Sequence, residues 1–331
     1  MKHTGSCWAH VAAIVTALAA AALATTATMA SAQNYPNKPV RLLVGFVPGG
    51  STDLAGRFIA QKLGELLGQQ VIVENRPGAG TALANERAAT AAPDGYTLLL
   101  MAASGAGLSA ARSDLPYDID RDFVPIARGT ATTYVVMVHP SVPVRSLKDL
   151  IALARSRPGK MSYASEGIAA SAHISGELFK SMAKLDMLHV PYKGGTESST
   201  AVAAGHVDVG FPTITASLPM AEAGKVRLLA VTSAKRSALK PDVPTVSESG
   251  LPGYDRASWN GLMGPSAMPK EIVTQLQAAM EKILNHPQAR EQLMKIGLEP
   301  NYLPGEQFGA YLRNEVTQIS QLMKSIAFKR N

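Results

Sequence analysis

The stretch from Val40 to Asp53 reads VRLLVGFVPGGSTD. An apolar run of strand length passes through a proline- and glycine-bearing turn into LAGRFIAQKLGELLG, where Leu54, Phe58, Ile59, Leu63, Leu66 and Leu67 recur mostly at three- and four-residue steps. That spacing puts them on one helical face, so the segment predicts a buried strand, a tight turn and an amphipathic helix. The pattern repeats in QVIVENR (70–76), PGAGT (77–81), an Ala-rich helix to Ala92, the turn PDGY (93–96) and the strand TLLLMAAS (97–104). Strands alternating with helices in this way predict βα units around a mostly parallel sheet.

The same order returns further along. MSYAS (161–165), MLHVPY (187–192) and VDVGFPT (207–213) read as strands, with EGIAAS and KGGTESS leading into the intervening helices. VRLLAVTS (226–233) adds another strand to this second unit. ATTYVVMVHP (131–140) can carry the chain from the first unit to the second, and SWNGLMGP (258–265) can carry it back. The fold class predicted is α/β with two lobes, each a mostly parallel sheet flanked by helices, joined by two crossing strands. Residues 33–132 with 258–331 form the first lobe and 133–257 the second. The tail is helical, with one stripe of Ile272, Val273, Leu276, Met280, Ile283 and Leu284 and a last helix after Pro304.

Composition narrows the function. With 46% hydrophobic and 17% charged residues in 331, the chain is globular rather than disordered. Net charge is +7, but the basic residues are scattered and aromatics are only 5%, which argues against nucleic-acid binding and suits attraction of small anions. The first 32 residues carry Lys2, an apolar Ala-rich run from Val11 to Ala24, and Ala30-Ser31-Ala32. This is the pattern of a cleaved secretory signal, giving an expected periplasmic location. Cleavage after Ala32 removes Cys7, the only cysteine, so no disulfide or thiolate metal site is expected in the mature chain.

In parallel α/β sheets, ligands sit beyond the carboxyl ends of strands, where loops feed helix N-termini. Four such loops are rich in small residues and bear glycine: 48–53, 77–81, 166–171 and 193–199. Their N–H groups can approach a ligand closely and favour an anion, with a carboxylate the natural guest. Ser51, Thr52 and Asp53 are equally ordinary helix-capping residues, and Asp208 and Phe211 read as strand-end packing as readily as pocket. The enzyme templates mostly fail. GAGTAL (78–83) lacks the third glycine of a dinucleotide fingerprint, no GxxxxGK[ST] or GxSxG occurs, and no histidines have metal spacing. Ser171 with His173 is the one candidate for a hydrolase or transferase, and two-residue spacing on a helix points them apart.

The collinear strings VRLLVGFVPGGSTD, ENRPGAG, PDGYTLLL, LPYDIDRDF, PGKMSYAS, HVPYKGG, GKVRLLAVTSAKR and DVPTVSESGLPGY resemble the Bug (Bordetella uptake gene) or tripartite tricarboxylate transporter substrate-receptor family, over about residues 35–326. The resemblance implies a type II periplasmic-binding-protein fold closing over a small organic carboxylate, which is delivered to the permease subunits of a tripartite tricarboxylate transporter. No cofactor is implied, and a monomer is the default. It further implies ligand contacts from Gly49, Gly50, Ser51, Thr52 and Ser104 in the first lobe. Second-lobe contacts are implied at Ser165, Gly167, Ala169, Ala170 and Ser171, with Pro212 and Thr213.

The family's YASxGxGS is YASEGIAAS here, so Ala169 and Ala170 replace a glycine and a hydroxyl. Pro212 stands where many relatives carry an acid, which suggests a site without a counter-charge for an amino group and so disfavours amino-acid ligands. A receptor that signals to a membrane sensor would share all these features. Trp259, in the return crossing, is the only tryptophan left after signal removal and is expected to report lobe closure.

Overall fold

The computed structural model describes residues 35–192 and 194–325. The expected signal segment, residues 1–32, lies outside these, as does Lys193 in one of the Gly-bearing loops. Among the described residues, no helix is long and apolar enough to cross a membrane.

The opening segment folds as read. Strand β1 (Val40–Val44) buries Val40, Leu42, Leu43 and Val44, and helix α1 (Ser51–Leu67) follows the PGGSTD turn. Ala55, Phe58, Ile59 and Leu63 form its buried face, whereas Leu66 is exposed at the end of the predicted stripe. The helix stops at Gly68, whose φ of 70° lets its N–H reach the Gly64 carbonyl at 3.0 Å. β2 (Val71–Asn75) and β3 (Thr97–Ala102) pair parallel to β1 on either side, with α2 (Ala82–Ala89) between them in sequence. β3 is buried throughout, as a central strand should be.

The chain then forms α3 (Ala103–Ala111) and the long β4 (Phe123–Thr133), and β5 (Val135–Val138) continues into a second sheet. The second unit comprises α4 (Leu147–Ser156), β6 (Ser162–Ser165), α5 (Ser171–Ala183), β7 (Leu188–Pro191), α6 (Gly195–Ala203), β8 (Val209–Gly210), α7 (Ile214–Glu222) and β9 (Arg227–Val231). β10 (Ala257–Pro265) returns to the first sheet, followed by α8 (Lys270–Asn285), α9 (Pro287–Lys295), β11 (Glu299–Pro304) and α10 (Gly305–Ser325).

The first sheet has the order β11-β4-β10-β3-β1-β2 and the second β7-β6-β8-β5-β9. Both are mixed. β2, β1, β3 and β4 run one way while β10 and β11 oppose them; in the second sheet only β5 opposes its neighbours. The crossing strands β5 and β10 thus bring antiparallel pairing into sheets whose majority direction comes from the βα units.

Each sheet has its own core. Leu42, Ile59, Leu98, Leu276 and Met280 belong to the first; Val136, Tyr163, Phe179 and Phe211 belong to the second. The crossing is pinned at Tyr134, the residue between β4 and β5. Its N–H donates to the Thr232 hydroxyl at 3.0 Å and its carbonyl accepts from the Thr232 N–H at 2.9 Å, while the Arg256 N–H donates to the Thr232 carbonyl at 2.7 Å. Thr232 is fully buried, so both crossing segments are tied to one fixed point. A further contact joins the halves, because Ala169 and Ile174 of the second pack with Leu43, Ala106 and Leu108 of the first.

Candidate ligand-binding site

A cavity of about 520 Å³ lies where the two sheets face each other. The heads of four helices reach it directly: Gly50, Ser51 and Thr52 at α1, Ala102 and Ser104 at α3, Gly194 to Glu197 at α6, and Thr213, Thr215 and Ala216 at α7. Glu166, in the loop before α5, completes a fifth side. None of the first four carries a side-chain cap on its N-cap residue; α5 has none there either, but Glu166 takes the Ala172 N–H at its head. By contrast α4, remote from the cavity, has a full capping box between Ser146 and Asp149. A helix start leaves N–H groups without intrahelical partners, so uncapped starts converging on one space give that space positive potential without a basic side chain. Ser104 adds a second signal: it is 4% exposed, lines the cavity, and its hydroxyl has no hydrogen-bond partner. A buried hydroxyl left unsatisfied beside a cavity marks a place for a polar guest.

The PGGSTD turn is held open by Asp53, which is turned away from the cavity. Its carboxylate accepts from the Gly49 N–H at 2.9 Å, Arg57 Nε at 2.9 Å and Asn75 Nδ2 at 2.8 Å. Burial pushes this carboxyl up, but hydrogen bonds from Arg57, Gly49 and Asn75 outweigh it and hold it below the usual range. The loop's own anion therefore faces inward, leaving Gly49, Gly50, Ser51 and Thr52 on the cavity wall.

Of the residues named from the sequence, these four together with Ser104 and Thr213 line the cavity. Ser165, Gly167, Ala169, Ala170, Ser171 and Pro212 are not on this wall but adjoin it, in the loops that carry Glu166 and Thr213, and the ligand contacts implied for them stay an expectation. The Ser165 hydroxyl bonds the Gly167 carbonyl at 3.1 Å and lies 2.7 Å from His189 Nε2, which fixes the loop. Ala169 donates its N–H to His173 Nδ1 at 3.0 Å, and the Pro212 carbonyl accepts from Val135 at 2.9 Å. Ser171 is buried beside Tyr134. The Pro77–Thr81 loop also stays off the cavity, because it packs under β1: a Cβ on Gly45 would lie 2.7 Å from Thr81 Cβ. Asp208 accepts from the Ser162 N–H at 2.8 Å and Phe211 is in the core, so both are packing residues.

The cavity wall includes residues that sequence reasoning passed over: Phe46, Val47, Leu54, Tyr134, Ser258, Glu197 and above all Glu166. Glu166 Oε1 accepts from the Ala172 N–H, at the head of α5, at 3.1 Å, and the Tyr134 hydroxyl lies beside the same carboxyl. Burial pushes Glu166 up to about 7, against the lowering effect of these donors. The absence of an acid at Pro212 therefore does not leave the cavity without acids. The one signal for Glu166 was an isolated acid in a loop of small neutral residues.

His173 does not pair with Ser171. Its ring stacks on His189 with centroids 3.9 Å apart, the Tyr163 ring stacks on His189 at 4.8 Å, and Nδ1 is already used by Ala169. Burial lowers His173 to about 4, and burial with the neighbouring His173 lowers His189 to about 3, so both rings are neutral at pH 7. Unfolded histidines titrate near 6.5, so the unfolded chain binds more protons below that pH. Stability is expected to fall as pH drops from about 6.5 toward about 4, by up to about 1.4 kcal/mol per pH unit for each ring. Urea denaturation at pH 7 and pH 5 checks this, and His189→Gln should show the smaller acid loss.

Ala169 has φ of 60°, a left-handed conformation that costs a side-chain-bearing residue about 1 kcal/mol. Ala169→Gly is expected to stabilise the protein by about that amount, less the extra flexibility of the unfolded chain. A rise in thermal midpoint of a few degrees is the expected reading. A fall would show that the loop is not strained.

Two facing α/β lobes around a donor-lined cavity define a solute-binding protein of the periplasmic type. The profile of the "Tripartite tricarboxylate transporter family receptor" matches residues 55–328, and the chain belongs to that family. It is 32% identical over 311 residues to "Protein BugT" of Bordetella pertussis, covering 93% of this chain and 95% of the relative. Among solved structures it resembles R. palustris Rpa4515 with adipate, at TM-score 0.83 and 34% identity, covering 88% of this chain and 97% of that one. It also resembles MatC (Rpa3494) from Rhodopseudomonas palustris with bound malate, at TM-score 0.78 and 30% identity, covering 87% and 99%.

Proposed function

We propose that the protein is an exported periplasmic receptor that captures one small organic carboxylate between its lobes and delivers it to the permease subunits of a tripartite tricarboxylate transporter. The single observation that carries this reading is the convergence of uncapped helix starts with the unpartnered Ser104 hydroxyl on one cavity. Backbone and hydroxyl donors make charge-assisted hydrogen bonds to a carboxylate, strengthened as the lobes exclude water. Family membership, and the adipate and malate bound by two structural relatives, support a carboxylate guest. The lobes are taken as residues 33–132 with 258–331, and 133–257, with the joint at Tyr134. The leader at 1–32 is the export signal. Catalysis is not part of the reading, since binding and release need no covalent step and Ser171 and His173 form no nucleophile–base pair.

Titration calorimetry with adipate, malate, succinate, benzoate and aspartate tests it. Saturable binding of at least one plain carboxylate at one site per chain is expected. An amine or a sugar binding in preference to every acid would contradict the reading.

A further inference from the structure

The cavity's own acids set a constraint on its guest. Glu166 lines it, and no lysine or arginine is among the described residues that do; Glu197, also on the wall, has an interaction of its own. Glu166 also takes the Ala172 N–H at the head of α5, the helix whose loop was expected to receive the ligand's carboxylate. An internal carboxyl thus occupies that donor. Beside it on the wall are Tyr134 from the crossing and Ser258 from β10; Arg256, which acts on Tyr134, is paired with Glu315 on α10. An incoming carboxylate that touches Glu166 in its charged form would set two like charges together in a partly dehydrated space, which is strongly unfavourable.

We propose that Glu166 meets the ligand as a protonated carboxyl, taking a proton from solvent as the anion enters and donating the resulting O–H to an acceptor on the ligand. The inference rests on the carboxylate reading above and adds a selection rule to it. The ligand's main carboxylate sits on the donors of Gly50, Ser51, Thr52 and Ser104, and its other end offers an acceptor, such as a second carboxylate, a carbonyl or a hydroxyl. An ammonium group there would instead keep Glu166 charged. The balance is simple: one solvent proton adds to the Glu166 carboxylate oxygen not held by Ala172, and no bond of the ligand changes. Two observations place this within reach. Burial raises the Glu166 carboxyl to about 7, so about half of it is neutral at pH 7, and the unpartnered Ser104 hydroxyl on the first-lobe wall is a donor for the other end of the guest. An approaching anion raises the carboxyl further.

The full-length mature protein with adipate and malate as probes tests this, by calorimetry from about pH 6.5 to 9, where the probes stay fully ionised. Runs in two buffers of different ionisation enthalpy give the protons taken up. Uptake of about half a proton at pH 7, rising toward one at pH 8, is expected, with affinity falling by up to tenfold per pH unit above about 7. Glu166→Gln, a neutral donor of the same shape, should bind at pH 8 at least as tightly as the parent, with no uptake and a flat profile. Saturable binding without uptake and with a flat pH profile overturns the proposal while leaving the carboxylate reading intact. So does loss of tenfold or more on Glu166→Gln with aspartate as the tightest ligand, which would make Glu166 a counter-charge. No saturable binding of any plain acid across the range overturns both.

Discussion

Glu315→Ala is expected to cost about 3–5 kcal/mol of stability, the largest effect of any single substitution considered for this protein. Glu315 is 3% exposed on α10 and holds two groups of the return crossing at once. Arg256 Nη2 donates to its Oε1 at 3.2 Å, and Trp259 Nε1 donates to its Oε2. Arg256 is itself mostly buried, so removing the carboxylate leaves a buried cation uncompensated and the indole N–H without its acceptor. The result is read as a lower urea midpoint with an unchanged slope. Glu315→Gln keeps an acceptor for Trp259 and should lose less. A loss below about 1 kcal/mol for the alanine variant would show that solvent reaches Arg256 freely.

The same contacts revise the use of Trp259. Its ring is 1% exposed and packs edge-on against Phe308 and Tyr311, deep in the first lobe, although the adjacent Ser258 lines the cavity. The tryptophan is therefore turned away from the cavity, and its fluorescence is expected to respond only weakly to any closure of the lobes.

Gly107→Val is expected to weaken carboxylate binding by at least about tenfold, equivalent to about 1.4 kcal/mol. Gly107 lies on α3, and a Cβ there would sit 2.5 Å from the Ala169 carbonyl oxygen, a backbone atom of the opposite half. A backbone oxygen cannot rotate aside, so the contact must open. Ala169 belongs to the loop that carries Glu166, and prising that loop from α3 widens the cavity between the halves. Within the first lobe the change is mild, because replacing a helical glycine restricts the unfolded chain. Binding should thus suffer more than stability. Calorimetry and urea unfolding on the same variant separate the two, and unchanged affinity would place the lobe contact outside the binding cycle.

Much of the fold was legible because its signals are local. The run from Val40 to Leu67 alternates strand, turn and helix with each apolar residue near its expected place, and the stripe from Ile272 to Leu284 is buried as read. The unreadable parts depend on partners distant in sequence. β11 contains Pro300 and Pro304, which read as turn residues, yet it pairs with β4 at the sheet edge, with an irregularity after Pro300. α3, with sequence ASGAGLSAA, has no apolar stripe because its residues are small and nearly all its faces are buried; Ser104 therefore read as a strand end. β8 shrinks to Val209 and Gly210 because the chain turns at Pro212 to pair with the crossing.

The site divided in the same way. Gly49 to Thr52 were readable as an open helix start, since glycine and small polar residues after a strand carry that meaning wherever they occur. Glu166 was not, because its significance arises only when Tyr134 and the first-lobe loops are brought across from elsewhere in the chain. Ser165 and Ala169 sit in the same loop as Glu166, held there by the stacked pair His189 and His173.

The most direct test of the central claim is a crystal structure of the mature protein grown with the tightest-binding acid of the calorimetric panel. The account predicts one molecule in the cavity, its carboxylate on the backbone N–H groups of Gly50 to Thr52 and the Ser104 hydroxyl, with its far end against Glu166. An acid bound on the outer surface, or an empty cavity with the same lobe arrangement at saturating ligand, would contradict it.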